Sequence, residues 1–204
     1  VDTYNSAFGY RSLATLTTGT VNTGVGHGTL ENATTGYRNT AAGGAALQVL
    51  TTGYQNVAVG SESLQQATTG YANVSIGYQA MALTTTGVNN VAVGENALRT
   101  NVDDHGSVAV GYRALYSANY TASATYIYNV ALGYQAGYSV STGTSNVIIG
   151  GNAGQDTQPL PTGDSNLIIG RSARTSGGDS NNQIVLGRDV TGNADDSLCF
   201  GNGS

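Results

Sequence analysis

Catalysis or metal binding needs titratable side chains gathered at one place, and this chain has few to gather. Its 204 residues include twelve acidic residues, seven basic residues that are all arginine, two histidines and one cysteine. His27 and His105 stand seventy-eight residues apart and Cys199 is alone, so the sequence offers neither a nucleophile–base pair nor a thiolate metal cage. Glycoside cleavage needs two carboxylates about 5–10 Å apart across a groove. Glu31, Glu62 and Glu95 fall at different places in the pattern described below and do not pair. Asp103-Asp104-His105 could hold a cation weakly, but it stands where other units have a Thr-Thr-Gly turn, which predicts a solvated turn. Asp164, Asp179, Asp189, Asp195 and Asp196 read as turn residues, and Gly177-Gly178-Asp179 lacks the nonapeptide recurrence of a calcium-binding β-roll. Without lysine there is no Gly-rich phosphate loop of the G-x-x-x-x-G-K-[S/T] type. The expectation is a protein that is not an enzyme and uses no cofactor or metal.

The bulk composition narrows the remaining classes. A net charge of −5 with only seven bases argues against nucleic-acid binding, which needs a basic stripe to neutralise phosphates. No run approaches the 18 or more apolar residues of a membrane-spanning helix, and no secretion signal is legible at the start. Charged residues make up 9%, against about a quarter in an ordinary globular chain, while 30 glycines are about twice the usual share.

Those glycines are periodic. The segment Asn56-Val57-Ala58-Val59-Gly60 returns as Asn73-Val74-Ser75-Ile76-Gly77 and as Asn90-Val91-Ala92-Val93-Gly94. Its last residue marks a step of 17 through Gly9, Gly26, Gly43, Gly60, Gly77, Gly94 and Gly111. The series continues at Gly133, Gly150, Gly170, Gly187 and Gly201, with steps of 22, 17, 20, 17 and 14. The chain is therefore a single repeat array over residues 1–204, regular over 5–111 and irregular over 112–204. A unit this short cannot bury a core alone, and paired threonines with frequent glycine disfavour helix, at about 1 kcal/mol per glycine. The pattern predicts an all-β parallel solenoid of about twelve coils, each strand pairing with its equivalents roughly 4.8 Å above and below. The recurrent Asn column (Asn22, Asn39, Asn56, Asn73, Asn90) suits amide-to-amide bonding, and the marker glycines suit a sharp turn or a close backbone approach.

Alternation assigns the two faces of each strand. Placing the bulky columns inside puts Val57, Val74 and Val91, with Val59, Ile76 and Val93, in the core. A second short strand such as Ser63-Leu64 or Ala97-Leu98 would form the opposing wall. The middle column then points outward: Ala58, Ser75, Ala92, Ala109 and Ala131, followed by the larger Ile148, Ile168 and Val185. A strand apolar on both faces is covered on both, so these eight residues are expected at an interface with other copies of the chain.

With those residues in view, the N-[S/V]-x-[V/I]-G-x-x-[A/S] unit resembles the head repeat of YadA-like trimeric autotransporter adhesins. The 17-residue form T-T-G-Y-x-N-V-A-V-G-x-x-A-L is similar to β-roll repeats of phage tail fibres. The resemblance runs from about Asn5 to Gly201. It implies a left-handed β-roll, a homotrimer, and a place outside the cell, on a virion or a cell surface. The function it implies is a rigid fibre segment with host-receptor or glycan attachment, or else an adhesin head. The chain departs from the adhesin pattern in its longer coil and its 22- and 20-residue units.

Irregular coils are where a solenoid shows loops. The five extra residues between Gly111 and Asn129 lie in a stretch with Tyr112, Arg113, Tyr116, Tyr120, Tyr126 and Tyr128. Tyrosine offers a flat apolar face and a hydroxyl, which suits a sugar or a protein partner, so these six are the candidate receptor contacts. Pro159-Leu160-Pro161 marks a second bulge, and Tyr37-Tyr54-Tyr71 and Tyr10, Tyr78, Tyr112 and Tyr134 should form surface stripes. The five Thr-Thr pairs also raise an ice-binding solenoid, though adjacent residues of a strand face opposite ways and a glycine follows each pair.

Overall fold

A computed structural model describes residues 3–118, 126–155 and 162–201. Twelve three-residue strands, β1 (Ser6–Phe8) to β12 (Leu198–Phe200), form one parallel sheet in sequential order, with no helix among the described residues. Each strand pairs in register with the equivalent residues of the next coil, as Val57, Ala58 and Val59 do with Val74, Ser75 and Ile76. The insertion after Gly111 leaves the ladder intact, since β7 (Val108–Val110) pairs in register with β8 (Val130–Leu132). The fold is a parallel β-solenoid of about eleven turns.

The asparagine column forms the predicted relay. Asn39 donates its backbone N–H to Oδ1 of Asn22 in the preceding coil (3.0 Å) and its Nδ2 to the Gly53 carbonyl in the following one (2.9 Å). Asn56 and Asn73 repeat both bonds. These side chains are fully buried, and an unpaired amide there would cost about 1–3 kcal/mol. The first threonine of each pair has a similar duty: the Thr34, Thr51 and Thr68 hydroxyls donate to the carbonyls of Thr51, Thr68 and Thr85. The second threonine of each pair is exposed.

The faces of the strand are the reverse of the expectation. Ala58, Ser75, Ala92, Ala109 and Ala131 are completely buried inside their own chain, as are Ile148, Ile168 and Val185 to within about 1%. Sister copies therefore have no part in covering them. The bulky columns point outward, with Val59, Ile76, Val110, Leu132 and Ile169 each more than a third exposed. The physical reason is the thinness of the coil. Leu47, Leu64, Met81, Leu98 and Leu115 fill the interior from the opposite wall and leave room for little more than a methyl group on the strand. Where the strand residue grows to Ile148, the opposite wall shrinks to Gly137 and Gly154. A Cβ on either glycine would lie 3.1–3.2 Å from Ile148 side-chain carbons. Large and small have exchanged sides, and the core volume is kept.

The opposite wall is also no strand. Leu47, Leu64, Leu98 and Leu115 have φ near +50°, and so do Ala45, Glu62, Asn96 and Arg113 two positions earlier. This is a train of turns whose N–H groups reach the next coil, as Leu64 does to the Ala80 carbonyl (2.9 Å). Left-handed conformations cost roughly 1–2 kcal/mol at a residue with a side chain. The hydrogen bonds between coils and the buried leucines offset that cost.

The marker glycine behaves as its position suggests. Gly60 has φ +128°, and a Cβ there would stand 2.5 Å from the Gly77 carbonyl oxygen of the next coil. Gly60→Ala is expected to lower unfolding stability by about 3 kcal/mol or more. A Cβ on Gly151 meets nothing within 4 Å, so Gly151→Ala should be neutral or stabilising by up to about 1 kcal/mol. Chemical denaturation of the two variants side by side checks both.

Candidate functional site

Three surfaces or sites depart from ladder duty: the outer face of the sheet, a flank rich in tyrosine and arginine, and a buried polar cluster. From Val57 onward the outer face carries two apolar columns, whereas the first three strands present Ser6, Thr23 and Thr40 in the first column and Ala42 in the second. Val57, Val74, Val91, Val108, Val130, Val147 and Leu167 are half-buried, while Val25, Val59, Ile76, Val110, Leu132 and Ile169 are exposed. Phe8 and Phe200 extend the second column to the two ends and are 79% and 69% exposed. The nine strands from Val57–Val59 to Leu198–Phe200, about 4.8 Å apart, and two columns make a strip roughly 40 Å by 10 Å. At on the order of 400 Å2 it lies within the range of the largest apolar patches found on monomeric proteins. Sequence reasoning had these residues inside. The signal that could have placed them was the reciprocity between Ala58 and Leu64 on one hand and Ile148 and Gly154 on the other, both six residues apart.

The candidate receptor contacts fall into two groups. Tyr112, Arg113 and Tyr116 follow β7, whereas Tyr126 and Tyr128 precede β8, so the groups lie at opposite ends of the strands. Tyr126 and Tyr128 stack on each other with centroids 5.4 Å apart, beside His105, and are about half exposed. Tyr120 lies outside the described residues, as do Pro159, Leu160 and Pro161. After β7, Arg113 lies over the rings of Tyr112 and Tyr116, at 5.0 and 5.5 Å. Those rings stack on Tyr134 and Tyr138 of the next coil at 5.2 and 5.1 Å. Arg99, which the motif analysis passed over, joins them by donating Nε to Gln79 Oε1 (3.1 Å) and Nη1 to the Tyr116 hydroxyl (3.4 Å). The Tyr37-Tyr54-Tyr71 ladder forms as expected, with centroids 4.8 and 4.6 Å apart.

The acidic motif is not a solvated turn. The register sets Val102, Asp103 and Asp104 level with Thr85, Thr86 and Gly87, and His105 level with Val88. Asp104 thereby takes the inward glycine position and is completely buried. In neighbouring coils that glycine is demanded first by the next coil's backbone and then by the asparagine three residues later: a Cβ on Gly53, Gly70 or Gly87 would stand 2.3–2.7 Å from the carbonyl oxygen of Gly70, Gly87 or Asp104 and 3.1–3.4 Å from Nδ2 of Asn56, Asn73 or Asn90. At Asp104 the asparagine is replaced by the smaller Ser107, which removes the second of these contacts. The same exchange occurs at Ser180 and Gln183, whose amide turns to Ser176. Around Asp104, the Thr84 and Ser107 hydroxyls, Asn101 Nδ2, His105 Nδ1 and both carboxylate oxygens are buried and lack hydrogen-bond partners. Burial pushes the Asp104 carboxyl up to about 6, opposed by Ser107, His105 and Asn101 nearby.

Among the described residues no three His, Cys, Asp or Glu side chains group as a metal site. Glu31 pairs with Arg11 and accepts from Gln48 Nε2 (2.9 Å), and Glu62 accepts from Gln79 Nε2 (2.6 Å). Among the described residues no helix is long and apolar enough to cross a membrane. The class that fold and surface define is a parallel β-solenoid repeat protein. Comparison with protein-family models, with curated proteins and with solved structures returns no match.

The carboxyl of Asp104 has a consequence for stability. Its folded value lies above the ordinary 3.8, so its contribution is fully present below about pH 4 and is lost as pH rises through about 6. The loss amounts to about 3 kcal/mol. Asp104→Asn should therefore raise the unfolding midpoint at pH 7.5 and leave it nearly unchanged at pH 3. Urea titrations of both proteins at the two pH values test this, and equal differences at both would show that Asp104 titrates normally.

Proposed function

We propose that the chain is a rod-like segment of an extracellular fibre, on a virion or a cell surface, assembled as a homotrimer through the outer face of its sheet. The observation that carries this reading is the outward apolar column that runs from Val59 to Phe200. With the half-buried column beside it, a single chain leaves on the order of 400 Å2 of apolar surface in water along most of the rod. Identical chains side by side would bury it, and the symmetry of a closed oligomer would match each column with its copy. A turn train on the opposite side and a nearly uncharged surface suit a spacer, whose length is set by the number of coils. Hydrogen bonds between coils, renewed every 17 residues, resist proteolysis and salt, as a part exposed outside the cell requires. The likeness of the repeat to tail-fibre and YadA-like adhesin repeats supports the same reading. The tyrosine-rich flank of coils five to eight would face outward from such a rod and serve attachment.

Light scattering of the purified chain tests the assembly. The expected mass is three times 20.7 kDa. Val59→Glu together with Ile76→Glu should give a monomer with an unchanged circular dichroism spectrum, because both side chains already point out of the coil. A wild-type chain that stays monomeric at micromolar concentration overturns the reading.

A further inference from the structure

The arginines of this chain divide into two sets. Arg11 pairs with Glu31, and Arg171 and Arg188 pair with Asp189. Arg38, Arg99, Arg113 and Arg174 have no carboxylate partner among the described residues, although the chain carries more acids than bases, and of these four Arg99 and Arg113 meet at one place, on Tyr116. The acid closest in the pattern, Glu95, accepts from Asn96 Nδ2 (3.2 Å) and offers Arg113 only its backbone carbonyl. Neither arginine is required by the fold. The position of Arg113 is held by Gln79 and Asn96 in the two preceding coils and by Gln135 in the next, and that of Arg99 by Ala82. Both guanidinium groups are nonetheless fixed: Arg113 rests on two rings with its Nε buried and unpartnered, and Arg99 is tied to Gln79 and Tyr116. Beside them the Tyr112–Tyr134 and Tyr116–Tyr138 stacks form a flat wall, of which Tyr134 is 55% exposed.

We propose that this flank of coils five to eight is a binding site for an anionic saccharide, with Arg113 and Arg99 taking its carboxylate or sulfate and the tyrosine stacks taking the face of a sugar ring. This rests on the attachment reading above and names the class of ligand. A planar guanidinium pairs with a carboxylate or sulfate through two parallel N–H donors, and a ring edge-bonded through its hydroxyl leaves its apolar face for the C–H side of a sugar. Side chains immobilised before binding lose little freedom on binding. Two arginines in a chain of net charge −5 are too few for a nucleic-acid backbone, and a single sugar acid needs no more.

The test is calorimetric titration of the full chain with a heparin-derived hexasaccharide and with hexagalacturonate, using cellohexaose and hexaglutamate as comparison ligands. Binding is expected for the two acidic saccharides, weakening with salt, and not for cellohexaose. Arg113→Gln and Arg99→Ala should each weaken it about tenfold while keeping the wild-type unfolding midpoint, because neighbouring coils carry those residues at those positions. Failure of both acidic saccharides at millimolar concentration overturns the proposal, as does binding that neither substitution alters. Hexaglutamate binding as tightly as the sugars also overturns it, in favour of an acidic protein partner. Trimer mass and adhesion of the wild-type chain to cells are read separately. Adhesion without saccharide binding would leave the fibre reading standing and remove this one alone.

Discussion

Most backbone N–H groups among the described residues bond a carbonyl of the coil above or below, 16–18 residues away in the regular coils. That requirement controls the rest. A strand of three residues cannot form a sheet with its own coil, so it persists only if the next coil presents the same three residues at the same height. Each column of the stack is then a line of near-identical side chains that must tolerate a copy of itself about 4.8 Å away. Asparagine does so by donating to the Oδ1 of the preceding asparagine and accepting at its own Oδ1 from the following one, threonine by donating its hydroxyl to the next carbonyl, and tyrosine by stacking. Glycine does so by having no side chain to collide with the carbonyl above it.

The same constraint explains why the core is built of alanine and leucine on opposite walls. The coil is one turn of chain, and its two walls stand close enough that only one of them can be large at any height. Ala58 faces the Leu64 side, and Ile148 faces the Gly154 side. Ser75, the one hydroxyl in the strand's inner column, is tolerated because it donates to the Ala80 carbonyl and accepts from Ser63. The bulky β-branched residues are left outside, where they favour the strand conformation and are covered by nothing in the chain.

The repeat, its strands, the marker glycines and the asparagine relay were legible because a constraint renewed every 17 residues leaves a periodic trace. The facing of the strand was not read correctly, and the reason is physical. Alternation states that Ala58 and Val59 face opposite ways but not which way is in, and the rule that the larger apolar residue goes inside assumes a core thick enough to hold it. Leu64 looked like a strand residue because nothing in its type announces a φ near +50°; that conformation is imposed by the coils on either side. Among the six candidate contact residues, Tyr112, Arg113 and Tyr116 came together, and Tyr126 and Tyr128 formed a separate pair. Arg99 escaped notice because it lies seventeen residues before Tyr116, a distance that matters only once the stack is built.

Positions that break a column are therefore more informative than positions that keep it. A substitution inside the stack is felt by its own coil and by the two that touch it, so it survives only with a compensating change nearby. Asp104 with Ser107, and Ser180 with Gln183, show such compensation within three residues. The Ile148 exchange spreads it over two coils. Arg99 and Arg113 break their columns with no structural compensation, because they sit on the outside where the neighbouring coils make no demand. A column broken inside reports a problem of packing that had to be solved. A column broken outside, with the side chain held rigid and its charge left unpaired, reports a demand that comes from beyond the chain.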